Sequence, residues 1–344
     1  MRGRQDQAAS LKMYESFFHL RKNPFGMNPD PDSLFMTPCH REAFAVLLYA
    51  IHRRKGFVVL TGDAGTGKTT LLRALLQSAH NAKFSLILTP RLNSDEFLEL
   101  ALLDFGIQDV PATKSKRIAA LQELLARLRI QGKAPVLIVD EAHTLSTETL
   151  EEIRLLTNFE TNEEKLLQIV LAGQNELAAI LNQDSLWQLK QRIEVRMSLK
   201  PLAPAEVGAY MKHRWAHAGG KSALPFSNDA IPLIARASHG IPRLINALCD
   251  NALLLAYAGE EAIVGPAHIH HVLNDLDLAD STPSREHGAQ ARAGLIGLPG
   301  VDVPKRPSPS ARPYLRIEKD ASLETPGWSS RFGLEAMRRK RSQS

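Results

Sequence analysis

An apolar run, Phe57-Val58-Val59-Leu60-Thr61, passes into Gly62-Asp63-Ala64-Gly65-Thr66-Gly67-Lys68-Thr69 and then into Thr70-Leu71-Leu72. The fixed positions spell G-x-x-x-x-G-K-[ST] between a buried strand and the start of a helix, the setting that gives this pattern a mechanism. Its glycines let the backbone fold closely enough for several N–H groups to converge on phosphate oxygens. The N-terminus of the following helix adds partial positive charge. Lys68 is placed to reach the β- and γ-phosphates of a nucleoside triphosphate, and the Thr69 hydroxyl to ligate magnesium. Gly62, Asp63, Ala64, Gly65, Thr66, Gly67, Lys68, Thr69 and Thr70 are therefore the candidate nucleotide-binding residues. The pattern commits the chain to strand, loop and helix at this point.

A triphosphate site needs a second acidic anchor at the end of a neighbouring strand. Val136-Leu137-Ile138-Val139 followed by Asp140-Glu141 supplies it. Asp140 is expected to hold magnesium, directly or through water. Glu141 is expected to polarise the water that attacks the γ-phosphate. Gln174 follows the next apolar run, Leu166–Ala172, and should emerge beside Asp140, where an amide can sense the γ-phosphate or orient that water. Arg192 precedes a last short strand at Val195–Leu199. It is read either as a solvated residue or as an arginine offered to a neighbouring subunit's phosphate. Arg243 lies in the first turn of a helix opened by Pro242, a position disfavoured for a cation by the helix dipole unless it faces phosphate. His268, His270 and His271 face different ways on a helix and have no partner ligand at metal spacing, so no metal site is expected there.

Around the loop the chain alternates strand-like runs (Phe57–Thr61, Phe84–Thr89, Val136–Asp140, Leu166–Ala172) with helical segments (Thr69–Ser78, Ser94–Phe105, Ser115–Ile130, Ser146–Phe159). Ser94, with Asp95 and Glu96 after it, reads as a helix cap. Such alternation predicts an α/β core with a parallel sheet covered on both faces. Upstream, Phe44, Leu47, Leu48 and Ile51 mark one face of a helix over His40–Arg53. Tyr14–Pro38 is dense in aromatics and prolines and is expected to pack in extended form. After Pro201 only helices are predicted: Pro204–Ala218, Asn228–Ser238, Pro242–Ala258 and Pro266–Leu276. The domains expected are an N-terminal extension and linker (1–38), a nucleotide-binding core (39–200), a helical lid (201–281) and a tail (282–344).

The 344 residues carry a net charge of +5, which invites a nucleic-acid reading. The surplus is local. From Thr282 to Ser344 there are 12 Lys and Arg against 6 Asp and Glu, whereas the first 281 residues hold 30 basic and 31 acidic groups. That tail has 7 prolines and only isolated apolar residues, so it is read as disordered. Two cysteines, Cys39 and Cys249, cannot build a disulfide scaffold or a four-ligand zinc site. No apolar run approaches the roughly 18 residues of a membrane span, and MRGRQDQAAS lacks the apolar stretch of a secretory signal. A cytoplasmic location is expected.

The motifs together resemble the ExeA/GspA family of AAA+ ATPases, which includes MshM-like members, over about residues 13–277. The resemblance is carried by Met13–Phe18, Asn23-Pro24-Phe25, Pro29-Asp30-Pro31, Gly56–Thr70, Val139–His143, Arg154–Thr161 and Leu167–Gln174. It implies an AAA+ P-loop NTPase fold that takes ATP and Mg2+. Lys68 and Thr69 match Walker A, and Asp140 and Glu141 match Walker B. Gln174 matches sensor 1 and Arg243 the sensor 2 arginine. Arg192, or Arg196 close by, matches the finger acting in trans. It also implies a ring or filament of copies with ATP at their interfaces. Secretion members carry a membrane span and a cell-wall-binding region after the ATPase, whereas here a basic tail follows. Related soluble proteins resemble transposition ATPases of the TnsC/TniB type, which assemble on DNA. The expected partners are thus further copies of the chain with double-stranded DNA and a transposase, or alternatively components of a secretion or pilus machine. The tail, ending Arg338-Arg339-Lys340-Arg341, suits DNA and equally suits a solubilising or docking segment.

Overall fold

Parallel strands cannot be joined by tight turns, so each apolar run must be followed by a crossover before the next can pair. The computed structural model, which describes residues 13–88, 92–221 and 223–278, shows this arrangement. The strands are β1 (Phe57–Gly62), β2 (Ala82–Ile87), β3 (Ala134–Val139), β4 (Gln168–Gly173) and β5 (Val195–Leu199). They form one five-stranded sheet in the order β2-β3-β4-β1-β5, parallel throughout. The expected end of the second strand at Thr89, the N-terminal extension 1–12 and the disordered tail all lie outside the described residues. Leu166, expected to open β4, instead closes an antiparallel return. Its N–H donates to the Phe159 carbonyl at 2.8 Å, beside the Glu160–Lys165 bridge.

Side chains alternate across a strand, so each run feeds two cores. Phe57, Val59, Leu137, Val139, Ile169 and Leu171 face the helices Ser94–Asp104, Lys114–Ile130 and Thr147–Leu156. Val58, Leu60, Val136, Ile138, Val170 and Ala172 face the helices Pro38–His52 and Lys68–Ser78. β1 is buried over all of its 6 residues. Burying a Leu- or Phe-sized side chain contributes about 1.5–3 kcal/mol against exposure, and this two-sided burial holds the loop after β1 to a fixed platform.

Two helix starts differ from expectation. Asn93, not Ser94, caps the helix Ser94–Asp104: its side chain accepts from the N–H groups of Asp95 and Glu96, and Glu96 bonds back to the Asn93 N–H. Ser94 is the first helical residue, and its hydroxyl donates to Glu148 at 3.2 Å. The helix expected from His40 begins at Pro38. Thr37 is its cap, and proline occupies the first turn, where a missing N–H costs nothing.

The helices Pro204–His217, Ala230–Ala237, Pro242–Ala258 and Pro266–Asp275 share a third core. The aromatic segment from Tyr14 belongs to it. Tyr14, Phe18, Leu20 and Phe25 are buried among these helices, with Phe18 edge-on to Trp215 and Phe25 edge-on to Phe226. The segment is not simply extended. Tyr14–Phe17 forms one helical turn, Pro31–Ser33 a 3-10 turn, and irregular chain joins them. The Tyr14 hydroxyl and the Asn23 amide both donate to the Asp250 carboxylate, which ties the start of the chain to the third helix.

Candidate nucleotide-binding and catalytic site

In an open parallel sheet the usable crevice lies beyond the carboxyl ends of the strands, where the strand order reverses. Here β1 sits between β4 and β5, and β3 lies beyond β4. The loop after β1, the acidic pair after β3 and Gln174 after β4 therefore emerge on one edge. Register fixes this: Thr61 lies opposite Gly173, and Val139 opposite Leu171.

The loop is held from below by its own residues. The Lys68 ammonium donates to the carbonyls of Gly62 and Asp63 at 2.8 and 3.0 Å. Burial pulls the Lys68 pKa below its ordinary value, while the carboxylates of Glu141, Asp140 and Asp63 pull the other way. The Thr66 hydroxyl donates to the Asp63 carbonyl at 2.8 Å. A side chain at position 62 would meet the Leu199 carbonyl at 2.7 Å, and Gly67 adopts a left-handed φ of +97° as it opens the helix. Both positions require glycine. Asp63 is exposed, and its carboxylate accepts from the Asn175 amide, linking the loop after β1 to the turn after β4.

Asp140 is 2% exposed. One of its oxygens accepts from the Thr69 hydroxyl and the other from the Glu141 N–H at 2.9 Å. A hydroxyl and a carboxylate facing one another in this way are the hard oxygen donors that magnesium takes, so the pair fits that ion. Glu141 has a left-handed backbone, φ +52°, unusual for a residue with a side chain. Its carboxylate approaches His143, whose Nδ1 lies 3.5 Å from Glu141 Oε2. The His143 ring also meets Gln174, with Nδ1 accepting the backbone N–H and Nε2 beside the side-chain amide, both at 3.3 Å.

Ala64, Gly65, Thr66, Gly67, Lys68, Thr69 and Thr70 line one cavity of about 350 Å³ together with Glu141, Gln174 and Arg243. Its opposite wall is Gly26–Asp30 with Ser33, Leu34 and Phe35. Arg214 donates to the Pro24 and Gly26 carbonyls and Arg73 to the Pro29 carbonyl, so this wall is pinned from two sides. Arg243 stands above the loop, its N–H 3.3 Å from the Gly65 carbonyl. Arg192 is not in the cavity. It precedes β5, at the opposite end of the sheet from the loop, where its guanidinium donates to the Thr157 hydroxyl at 2.8 Å. Arg196 is exposed on β5, paired with Val59.

The aromatic and proline-rich segment before His40 is placed by its sequence to wall the base, and it does line the cavity, whereas His40, His143 and Asn175 were not expected in this site. His143 stood three residues past Asp140 in a quoted motif and carried a usable signal. His40 and Asn175 are single residues of common type, and only the fold brings them to the loop.

Residues 51–181 match the AAA domain, from the end of the helix before β1 to beyond β4. The sheet, the loop after β1 and the flanking helices have the AAA P-loop NTPase fold. Over 297 residues the chain is 43% identical to General secretion pathway protein A of Aeromonas hydrophila, covering 84% of this chain and 52% of that protein. The chain thus spans about half the length of that relative. It is also 26% identical over 235 residues to the ATP-dependent target DNA activator B of Escherichia phage Mu, covering 63% of this chain and 71% of the activator. Among solved structures, Cdc6p from Pyrobaculum aerophilum superposes with a TM-score of 0.59 at 19% identity, over 74% of this chain and 71% of Cdc6p, which shows the shared fold. The resemblance to the ExeA/GspA family is borne out, and the chain is similar both to a secretion-pathway protein and to a target DNA activator. Among the described residues no helix is long and apolar enough to cross a membrane.

Proposed function

We propose that the chain binds ATP with Mg2+ in this cavity, hydrolyses it at interfaces between copies of itself, and uses turnover to assemble as a DNA-associated regulator of the transposition type. The convergence of Lys68, Thr69, Glu141, Gln174 and Arg243 on one cavity, with Asp140 bonded to Thr69, carries the hydrolytic part. Loop N–H groups and Lys68 hold the phosphates. Thr69 and Asp140 hold the magnesium, which when bound neutralises charge on the phosphate oxygens. Glu141 accepts the proton of the attacking water, and Gln174, braced by His143, orients that water. The core (39–200) and the helical lid (201–281) act as two jaws, with Arg243 carrying positive charge from the lid to the phosphates. The segment 1–38 supplies the cavity wall. Arg192, remote from its own cavity, serves the next copy.

The likeness to the Mu activator supports the DNA reading. The higher identity to the secretion protein supports a second: a cytoplasmic ATPase assisting assembly of a secretion or pilus machine. ATPase rate measured with duplex DNA across a salt series separates them. The DNA reading expects stimulation and filaments that vanish steeply as salt rises. An ATPase indifferent to duplex at low salt eliminates that reading and leaves the second.

A further inference from the structure

A phosphate loop works only if its N–H groups face the ligand, which turns its carbonyls outward into protein. The outward carbonyl of Thr66 meets His40. Nε2 of the imidazole lies 3.0 Å from that oxygen, and Nδ1 lies 2.7 Å from the Thr37 hydroxyl. The Thr37 oxygen also accepts the His40 backbone N–H at 3.2 Å, as the cap of the helix Pro38–His52. With a neutral ring these bonds close in one way only. Thr37 accepts from the backbone and donates its proton to Nδ1, so the proton on the ring is at Nε2 and is donated to Thr66. His40 is 3% exposed and Thr66 fully buried, so no water replaces the donor. Burial also pulls the His40 pKa below its ordinary 6.5, which keeps the ring neutral and the tautomer single.

The helix that carries His40 follows directly on the chain that walls the cavity at Gly26–Phe35. The strut therefore joins the wall to the loop. We infer that His40 is a positioning residue for ATP binding: its neutral imidazole, fixed by Thr37, holds the Thr66 carbonyl outward and so presents the loop N–H groups to phosphate. This rests on the ATP reading of the cavity. His40 borders the cavity, but both of its ring nitrogens are engaged by Thr37 and Thr66 and neither by Glu141, Asp140 or Gln174, so its loss acts on affinity more than on turnover.

The test compares His40→Ala, His40→Gln and Thr37→Val with the parent full-length chain, measuring the Kd for ATP, steady-state kcat and KM, and thermal midpoint. His40→Ala should weaken ATP binding about tenfold, the loss expected when one buried acceptor goes unpaired, with kcat little changed. His40→Gln, whose amide can still donate to Thr66, should restore binding to within about threefold of the parent. Thr37→Val should fall between the two. A merely structural histidine would lower the thermal midpoint in both His40 variants without this split. If His40→Ala gives no folded protein, the other two decide alone: Gln binding like the parent and Val binding several-fold worse supports the strut, and the reverse order overturns it. A fall in kcat with unchanged ATP affinity also overturns it. A parent that binds no ATP sinks the nucleotide reading itself, whereas a parent that binds ATP and a His40→Ala variant that binds equally tightly sinks only the strut.

Discussion

Gly65→Ala tests whether the lid must rest on the phosphate loop for turnover. A Cβ at this position would lie 2.6 Å from the Arg243 Cβ and 3.1 Å from the Ile241 Cγ2. Carbon atoms settle at about 3.5–4.0 Å, so the lid helix must retreat by about 1 Å. The glycine also has a left-handed φ of +81°, a conformation that costs an ordinary residue about 1–2 kcal/mol. Misplacing a positioned group by about 1 Å costs on the order of 100-fold in rate. Steady-state ATPase assays should accordingly show kcat falling by tens of fold, with a smaller loss of ADP affinity, because Lys68 stays bound to the Gly62 and Asp63 carbonyls. Arg243→Ala supplies the control. If Gly65→Ala acts by displacing Arg243, the double variant is little worse than either single one, since both remove the same interaction. Multiplying losses would show that the new methyl obstructs the phosphates instead. A Gly65→Ala enzyme with kcat within about twofold of the parent refutes the need for lid contact.

Mixing Arg192→Ala with Lys68→Ala protein should recover part of the ATPase activity that each lacks alone, and no recovery would make Arg192 a structural partner of Thr157 only. Tyr14→Phe removes one of two donors to Asp250 and should lower stability by about 1 kcal/mol, read as a drop in denaturation midpoint; an unchanged midpoint would show that the N-terminal segment does not anchor the helical region. Stability should also fall on mild acidification. Burial lowers the pKa of both His40 and His213 in the fold, so the unfolded chain takes up their protons first. Their contribution is complete above the ordinary value of 6.5 and is lost as pH falls from there through the folded pKa values. Urea titrations from pH 7.5 to 5 should show this slope in the parent and a shallower one in His40→Gln; equal slopes would contradict it.

The core was legible because its signals are local. The central strands β1, β3 and β4 rest on apolar runs, while β2 and β5 at the sheet edges interleave polar residues, and the glycine pattern before Lys68 has meaning only between a strand and a helix. The helix ends were less legible. Thr37-Pro38 is a readable cap, yet the apolar stripe begins only at Phe44, and the adjacent Asn93 and Ser94 are equally suitable caps by residue type. The burial of Tyr14, Phe18 and Phe25 among helices about 200 residues away has no local trace. Aromatic residues announce that they will be buried without naming their partner. His40 escaped notice because a lone histidine at a helix start has many uses, and its use here depends on a carbonyl presented by a distant loop.

Glu141→Gln tests most directly whether the acidic pair after β3 serves hydrolysis. The substitution keeps the size of the side chain and leaves Lys68, Thr69 and Asp140 in place, so ATP binding with Mg2+ should persist. Hydrolysis should fall by at least about 100-fold, the usual contribution of a positioned general base, and the assembled ATP-bound state should accumulate. Binding retained with hydrolysis lost is the predicted result. A variant that binds ATP and hydrolyses it at the parent rate would contradict the assignment of Glu141 and with it the mechanism drawn for this site.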